Sequence, residues 1–541
     1  MGLAYNEIIR NGEEVKLKNN TPKTLKRAEF LPVILIGEGI AVGVVSGLVV
    51  LLYRVALKYA DEWLLLILRF MKKSPVTIAI WFLILLLLAG IVGRLLRWEP
   101  LISGSGIPQL EGEMTGKIDQ CWWRVLLAKF AGGFLSLLGG LSLGREGPSI
   151  QLGAMAGKGV SRITGRDITE EKFLLTCGAS AGLSAAFHAP LAGVMFSVEE
   201  VHKSFSVSLL LSAMCASVTA DYISSEFLGF DPVFDLKLTG EIPTNLYWMV
   251  LILGIILGIL GACYNSLTLK TQKLFRSISC LNETTRLFLP FLMAGVIGFT
   301  IPELLGSGHA LVMKLSQGEW VLGTLVVLFL LKLAFSLCSF GSGAPGGIFF
   351  PLLVLGAMIG TIFASLGVQY LGIPQQYVSN FIILAMAGYF TAIVRAPITG
   401  IILIFEMTGS LSQMLSLSIV SIAAYVTATL LKSAPIYESL LDNLLSQRGQ
   451  KENSLGGERL LMEFVIRHGS PIENRQICEI AWPKDCLIVS IQRGEKEILP
   501  KGETKLLPSD MLVVMTSSRG EGKVYDEMVK LCHPGSERRT E

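Results

Sequence analysis

The segment from Leu333 to Val394 contains no Asp, Glu, Lys or Arg, and this feature limits the possible folds more than any other in the sequence. A helix that spans a bilayer needs about 20 apolar residues, so the segment is long enough for more than one crossing. Of the 541 residues, 51% are hydrophobic and 16% are charged, whereas about 25% are charged in soluble domains. We therefore predict an α-helical polytopic membrane protein with the lipid bilayer as a partner. The formal net charge of +3 gives no reason to expect nucleic acid as a partner.

Other apolar stretches also predict membrane spans: Leu31–Tyr53, Val76–Gly93, Leu246–Leu269 and Leu287–Pro302. Basic residues lie beside three of the apolar runs: Lys23, Lys26 and Arg27 before the first, Arg94 and Arg97 after the second, and Lys432 after the last. By the positive-inside rule these ends face the cytoplasm. We therefore expect a multi-pass protein of the cell membrane with both termini in the cytoplasm.

The membrane part of the sequence consists of two similar halves. The matching motifs are "GSG" at Gly104 and Gly306, "GREGPSIQLGA" at Gly144 with "GIFFPLLVLGA" at Gly347, and "APLAGVMFSVEE" at Ala189 with "APITGIILIFEM" at Ala396. Three matches in the same order and at nearly constant spacing indicate a duplication. Duplicated halves of transporters are often inverted relative to each other, with the substrate site at their interface.

Glycine and proline breaks in the apolar runs predict helices that begin at membrane depth. Pro108, Pro148 and Pro351 each lie shortly after a glycine, and proline suits the first turn of a helix. A helix N-terminus presents unpaired N–H groups and about half a positive charge. Several such ends that meet would form a site for an anion. Ser105 and the backbone around Ile348 and Phe349 are the natural donors.

Glu146 in "GREGP" is the carboxylate that most needs an explanation. A charge at membrane depth costs about 2.5–3.5 kcal/mol on insertion scales and is rarely without a function. Among helix N-termini, the ionised carboxylate can take the place of an anion, and protonation removes that attraction. Glu146 would then gate an anion path and also carry a proton. The alternative is a structural ion pair between Arg145 and Glu146.

Other candidate residues have structural alternatives as well. Ser105 could be only a helix cap, and Tyr437 could belong to the aromatic belt at the membrane interface. Glu199 and Glu200 could end a helix at the water interface. Glu406 occupies the position of Glu199 in the second repeat, which favours a structural role for that pair.

Four motifs together resemble the CLC family of chloride channels and proton/chloride antiporters: "GSGIPQLEG", "GREGPSIQLGA", "GSGAPGGIFFPLLVLGA" and "YESLL". The resemblance extends from about Leu31 to Leu445, with the motifs in the order of the family. It implies a homodimer with a separate pore in each subunit. It also implies a CLC-type fold of two inverted repeats of tilted and broken helices.

The resemblance implies a chloride site. Ser105 and Tyr437 would coordinate a central chloride through their hydroxyls, and the amides of Ile348 and Phe349 would complete the site. The serine in "GSGIP" fits a preference for chloride.

The resemblance also assigns roles to two glutamates. Glu146 would be the external gating glutamate, and Glu200 falls where antiporters of the family have an internal proton-accepting glutamate. Channels of the family usually lack an acid there. We therefore expect a proton/chloride antiporter, with chloride and protons as its substrates. The alternative is a passive voltage- or pH-gated chloride channel of the same fold.

The sequence changes character after Tyr437. We predict a cytoplasmic N-terminal segment (1–30), a transmembrane domain (31–445), a linker (446–458), a small soluble α/β domain (459–532) and a polar tail (533–541). In the small domain, "CLIVSI" and "MLVVM" are typical of strands. This part resembles the TrkA-C (RCK C-terminal) domain, which implies regulation of transport and a possible small-molecule ligand. The alternative is a module that only stabilises a dimer.

Other classes of protein find little support in the sequence. The nine cysteines form no CxxC pair, which argues against a zinc or disulfide framework. The sequence contains no HExxH motif, which would indicate a metalloenzyme of the membrane. It also contains no "TVGYG" filter, which a potassium-transport subunit would need. We expect neither enzymatic activity nor a cofactor nor a metal.

Overall fold

The computed structural model describes residues 21–230, 232–234, 236, 240–278, 282–317, 321–448, 459–484, 486–494, 496–517 and 521–533. The predicted N-terminal segment up to residue 20, the linker from residue 449 to 458 and the tail after residue 533 lie outside these ranges. The chain divides into two compact units, Met1–Asn443 and Leu444–Glu541.

Helices account for nearly all of the regular structure before residue 449. In chain order they are α1 (Thr21–Met71), α2 (Pro75–Trp98), α3 (Ile107–Met114), α4 (Trp122–Leu138), α5 (Glu146–Thr164), α6 (Ile168–Phe187), α7 (Pro190–Phe196), α8 (Val207–Leu228), α9 (Tyr247–Ser277), α10 (Thr285–Thr300), α11 (His309–Gln317), α12 (Leu322–Gly341), α13 (Phe349–Leu371), α14 (Val378–Val394), α15 (Pro397–Thr408), α16 (Met414–Leu430) and α17 (Ile436–Gln447). A π-helical turn, Ser197–His202, follows α7 directly.

Eight helical segments of the described chain are long and apolar enough to cross a membrane: Val33–Met71, Pro75–Trp98, Val207–Leu228, Thr244–Ser277, Leu322–Gly341, Phe349–Leu371, Gln375–Val394 and Leu411–Leu430. The uncharged segment falls in α12, α13 and α14, and each of these helices lies in a segment that is long and apolar enough to cross a membrane. The span in α8 was not predicted, because Asp221 and Glu226 interrupt its apolar pattern.

Two glutamates at equivalent positions of the repeats connect the halves by reciprocal hydrogen bonds. Glu199 Oε2 accepts from the amide and the hydroxyl of Thr399 at 2.9 and 2.7 Å, at the start of α15. Glu406, near the end of α15, accepts from the amides of Leu191 and Ala192 at 2.9 and 2.7 Å, at the start of α7. Each carboxylate therefore caps the helix of the other repeat, where the helix dipole favours a negative charge. The structural role predicted for this pair agrees with these contacts.

Helices α5 and α6 pack backbone against backbone through glycines. A side chain at Gly153 would collide with the carbonyl of Gly178, and one at Gly182 would collide with the carbonyl of Ser149. Small residues at such contacts let helix backbones approach closely, which is how helices associate where lipid removes the hydrophobic driving force. This contact fixes α5, and with it the position of Glu146 at its first turn.

The smaller unit is built around a four-stranded antiparallel sheet in the order β1-β4-β2-β3. Its elements are β1 (Arg459–Val465), β2 (Cys486–Arg493), β3 (Lys496–Ile498), β4 (Met511–Ser517) and helix α18 (Glu521–Cys532). The predicted strands "CLIVSI" and "MLVVM" correspond to β2 and β4. Ile491 and Leu512 of the sheet share a buried cluster with Val524 and Met528 of α18. The unit therefore has a hydrophobic core of its own.

One ion pair with a buried carboxylate connects two parts of this sheet. Asp510, which is fully buried before β4, accepts hydrogen bonds from Nε and Nη2 of Arg493 at 2.8 Å each. The amide of Leu507 donates to the same carboxylate at 2.8 Å. The hydrogen bonds to Asp510 raise the pKa of Arg493 above its ordinary value. Because these hydrogen bonds replace those to water, burial of the Asp510 carboxylate costs much less free energy than burial of an unpaired carboxylate.

Candidate functional site

The N-termini of three helices, α3, α5 and α13, lie next to one another. The amide of Gly144 donates to the carbonyl of Gly347 at 2.7 Å, and the amide of Gly347 donates back to Gly144 at 2.8 Å. The amide of Gly346 donates to the carbonyl of Gly104 at 3.0 Å, just before α3. The glycine-rich breaks of both repeats are therefore bonded directly to each other. Their unpaired N–H groups make this region electropositive without the need for a basic side chain.

Glu146 is the first residue of α5 and is fully buried at this junction. A side chain at Gly144 would collide with Glu146 Oε2 and would lie 3.1 Å from the amide nitrogen of Phe350. The carboxylate therefore points towards the N-terminus of α13. The backbone amides of Glu146 itself and of Phe350 face this carboxylate, but neither oxygen has the alignment of a regular hydrogen bond with a described residue. Arg145 Nε lies 3.9 Å from Oε1, which is within ion-pair distance but too far for a hydrogen bond, so the alternative ion pair is present in a loose form and leaves the carboxylate oxygens accessible to other donors.

Ser105 lies on the other side of this junction and is 2% exposed. A side chain at Gly147, the second residue of α5, would lie only 2.9 Å from Ser105 Cβ. The hydroxyl of Ser105 accepts a long hydrogen bond of 3.4 Å from the amide of Ile107. The serine lies one residue before Gly106, the N-cap of α3, and its second lone pair and its proton remain for another partner.

Tyr437 lies in the first turn of α17 and is fully buried, so the alternative of an interfacial belt residue is wrong. Its hydroxyl has no hydrogen-bond partner among the described residues. The ring of Phe196 packs edge-on against Tyr437 and against Phe349, with ring centroids 6.4 and 6.0 Å apart. Ile348, the N-cap residue of α13, is also buried. The four residues predicted to bind chloride therefore lie on converging elements.

Glu200 lies on the π-helical turn after α7 and is 6% exposed. Its Oε1 accepts no hydrogen bond from the described part of the chain. Tyr437 lies within electrostatic range of both Glu200 and Glu146. The two acids predicted to carry protons are therefore on separate elements, with the tyrosine close enough to interact with each.

Two buried lysines support the glycine-rich breaks and were missing from the sequence-based prediction. Lys129 Nζ donates to the carbonyls of Ile102 and Gly104 at 2.8 and 2.6 Å. Lys332 Nζ donates to the carbonyls of Leu304 and Gly306 at 2.8 and 3.1 Å, at the matching place in the second repeat. Both side chains are fully buried. Their signal in the sequence was a single lysine in an apolar run at the same position of each half.

One further motif, "GASAG" at Gly178–Gly182, has the form GxSxG of hydrolase nucleophile elbows. Such an elbow requires a sharp turn from a strand to a helix. Here the residues lie inside helix α6, and Ser180 is fully buried. The motif therefore belongs to the packing of α6 against α5 rather than to a hydrolase site.

The arrangement can bind an anion and exchange it for a carboxylate. Backbone N–H groups and hydroxyls such as those of Ser105 and Tyr437 can donate hydrogen bonds to a small anion. Each hydrogen bond to a charged group is worth about 1.5–3 kcal/mol. The carboxylate of Glu146 faces the same helix N-termini and, when ionised, competes for them. A binding region of this kind, with an adjacent buried acid, has the components of a proton-coupled anion carrier.

Comparisons with known proteins agree with this arrangement. A family model described as voltage gated chloride channel matches residues 86–429, and one described as TrkA-C domain matches residues 461–529. The chain is 33% identical over 457 residues to the H(+)/Cl(-) exchange transporter ClcA of Yersinia pseudotuberculosis serotype IB (strain PB1/+). This alignment covers 83% of this chain and 95% of the relative. The chain is also 35% identical over 422 residues to the H(+)/Cl(-) exchange transporter ClcA of Vibrio parahaemolyticus serotype O3:K6 (strain RIMD 2210633). That alignment covers 76% of this chain and 90% of the relative.

Solved structures share the fold of the membrane unit. A slow cyanobacterial Cl-/H+ antiporter matches with a TM-score of 0.73 and 30% identity, over 77% of this chain and 99% of the antiporter. A CLC-type fluoride/proton antiporter matches with a TM-score of 0.61 over 75% of this chain and 97% of the antiporter chain. Its sequence identity is 22%, so this match indicates the fold alone. Because the family model covers more than half of the sequence and the exchangers align over most of their length, this chain belongs to the CLC family of voltage-gated chloride channels and chloride/proton exchangers, and it carries a TrkA-C domain.

Proposed function

We propose that this protein exchanges chloride for protons across the cell membrane. The observation that carries the proposal is the fully buried carboxylate of Glu146 at the junction of the helix N-termini. A carboxylate there is stabilised by the same groups that would bind chloride, so chloride and the ionised acid compete. The exchangers at 33% and 35% identity add support for coupled transport.

In this proposal the central chloride is bound by Ser105, Tyr437 and the amides of Ile348 and Phe349. The buried hydroxyl of Tyr437, which has no described partner, is available to donate to the ion. Protonation of Glu146 weakens its hold on the helix N-termini and opens the path to the outside. Deprotonation returns the carboxylate and closes that path.

Glu200 distinguishes an exchanger from a passive channel. An acid on the π-helical turn can accept a proton from the cytoplasm and pass it towards Glu146 by a route separate from that of the anion. Water molecules would bridge the gap, because the two carboxylates are on different elements. A channel has no need for such a proton acceptor.

The remaining assignments complete the proposal. The protein forms a homodimer in which each subunit has its own pore, and both termini face the cytoplasm. The soluble domain, residues 459–532, follows a linker at 446–458 and regulates transport by binding a small molecule. The basic residues beside the apolar runs support this orientation.

Reconstitution into liposomes with a chloride gradient tests the proposal. Chloride efflux through the unmodified protein should drive proton uptake, recorded together by a chloride electrode and a pH electrode. Glu146→Ala removes the competing carboxylate and should still pass chloride, while proton uptake falls to the level of empty liposomes. Glu62→Ala, at an exposed glutamate of α1, is the matched control and should behave like the unmodified protein.

Two outcomes would contradict the proposal. Clear chloride flux without proton uptake by the unmodified protein would favour the passive channel. Undiminished proton pumping by Glu146→Ala would show that another group carries the proton.

A further inference from the structure

Lys203 ends the π-helical turn that carries Glu200 and has an unusual backbone conformation. Its φ angle is 54°, in the left-handed region, and its amide donates to the carbonyl of Val198 at 3.0 Å. Residues other than glycine rarely adopt this conformation because Cβ crowds the backbone. A lysine at this position directs its long side chain across the neighbouring helices rather than along its own turn.

The ammonium group of Lys203 lies between two carboxylates from different helices. Its Nζ is 2.5 Å from Glu111 Oε1 on α3 and 2.5 Å from Glu438 Oε1 on α17. The side chain of Glu111 is 8% exposed, and those of Lys203 and Glu438 are 35% and 47% exposed. Glu111 is thus buried and Lys203 partly so, and the attraction between partly buried charges is screened less by salt than that between exposed charges. We name these three residues the Lys203 clamp.

Each element of the Lys203 clamp carries one part of the proposed transport machinery. Helix α3 begins just after Ser105, and the first turn of α17 contains Tyr437 directly before Glu438. The π-helical turn contains Glu200. One ammonium group therefore connects both chloride-binding hydroxyls to the element with the internal acid.

Lys203 is also the positive charge that acts on Glu200. The charged groups within electrostatic range of Glu200 are the carboxylates of Glu199, Glu111 and Glu438 and the ammonium group of Lys203. Asp442, one turn further along α17, acts on Glu111 in the same region. With Lys203 removed, the carboxylates of Glu199, Glu111 and Glu438 would act on Glu200 without this opposing charge, and repulsion would favour its protonated form.

We infer that Lys203 is a positioning residue that couples the chloride-binding hydroxyls of Ser105 and Tyr437 to the proton-accepting turn through its two carboxylate partners. The inference rests on the proposed exchange and extends it. While the clamp is closed, the first turn of α17 and the start of α3 keep a fixed distance from Glu200. When the clamp is broken, Tyr437 can move without a change at Glu200, and chloride can leak without a proton.

Lys203→Met tests the inference, because methionine keeps much of the length of the side chain but not its charge. In liposomes the number of protons moved per chloride should fall by about half or more, and the internal pH of half-maximal proton flux should rise by about one unit. Lys203→Arg keeps the positive charge and can reach both carboxylates. Its number of protons per chloride and its internal pH of half-maximal proton flux should equal those of the unmodified protein. Lys117→Met, at an exposed lysine in the loop after α3, is the matched control and should change neither.

A second variant keeps the test decisive if Lys203→Met does not assemble. Glu438→Gln, at a half-exposed residue, removes one arm of the clamp and one negative charge near Glu200. It should also lower the number of protons per chloride, but it should shift the internal pH of half-maximal flux downwards. A purely structural role would not produce shifts of opposite sign.

The outcomes separate this inference from the proposed function. Folded Lys203→Met or Glu438→Gln proteins with the coupling ratio and pH dependence of the unmodified protein would overturn the inference and leave the exchange intact. Chloride flux without proton uptake by the unmodified protein would instead overturn the proposed exchange.

Discussion

At the scale of single residues, two adjacent glutamates have opposite environments. Glu199 Oε2 accepts hydrogen bonds from the amide and the hydroxyl of Thr399. Glu200, the next residue, has a buried Oε1 that accepts none from the described residues. A buried polar group without a partner is costly, and in native proteins it often marks a functional site. The contrast supports a structural role for Glu199 and the proposed proton-accepting role for Glu200.

Glu200→Gln should separate chloride flux from proton flux. Glutamine keeps the shape of the side chain but cannot bind and release a proton in the physiological range. We expect proton uptake driven by a chloride gradient to fall about tenfold or more, since positioned acids accelerate proton transfer by about 10²–10⁴. Chloride flux should remain, and the two rates are recorded together in liposomes.

Glu199→Gln is the matched control for this experiment. The amide oxygen of glutamine can still accept from Thr399, so the cap of α15 persists in weaker form. Proton uptake should stay near that of the unmodified protein. Robust uptake by Glu200→Gln, or equal loss in both variants, would remove Glu200 from the proton path.

At the scale of helices, the site depends on how closely the N-termini approach one another. Gly147 lies so near α3 that a side chain there would come 2.8 Å from the carbonyl oxygen of Ser105 and 2.9 Å from its Cβ. Gly347 lies nearly as close to α5, with its hypothetical Cβ 3.1 Å from the amide nitrogen of Gly147. The glycines of the signature motifs are therefore required for contact between elements as well as for the turns themselves.

Gly147→Ala should weaken chloride binding without unfolding the protein. Overpacking of a close contact costs about 1–3 kcal/mol, and the strain would displace Ser105 from the anion. We expect the Kd for chloride to rise about tenfold, equivalent to about 1.4 kcal/mol. Isothermal titration calorimetry with chloride measures the change.

Gly90→Ala provides the control, since a side chain there has no neighbour within 4 Å. It should leave the chloride affinity unchanged. An unaltered Kd in Gly147→Ala would mean that the serine hydroxyl contributes little to binding.

At the scale of the whole molecule, the chain consists of two units with separate cores. The larger unit contains the helices with the proposed chloride and proton residues. The smaller unit buries Ile491, Leu512 and Met528 in its own cluster. A unit with its own core can in principle fold alone. The proposed regulation by the smaller unit would therefore not require it to form any part of the transport path.

A chain truncated after Arg448 should keep its fold and its transport activity. The truncation retains all of α17 with Tyr437 and removes only the linker and the sheet domain. We expect the exchange rate to remain measurable and the Tm of the detergent-solubilised protein to change by less than about 5 °C. Liposome flux and thermal unfolding test this, and a well-folded truncation without transport would show that the small unit is integral to the mechanism.

The sequence predicted much of the candidate site because the repeat motifs carry it. Glu146, Ser105 and Ile348 lie within glycine-rich breaks, and such breaks at membrane depth indicate a cavity or a binding site. The buried position of Tyr437 was not decided by the sequence, because a tyrosine near the end of an apolar run is equally typical of the interface. Lys129 and Lys332 were missed because their partners are backbone carbonyls, so the only signal in the sequence was one lysine at the same position of each half.

By itself, the sequence determined the membrane-spanning character, the duplication and the family. These properties depend on composition and on patterns within short stretches of chain, which hydrophobic burial and helix geometry translate directly into local structure. Only the tertiary structure decided which side chains meet. Lys203 contacts Glu111 and Glu438, which are 92 and 235 residues away along the chain. Contacts over such distances arise from the packing of whole helices, so no local pattern of the sequence contains them.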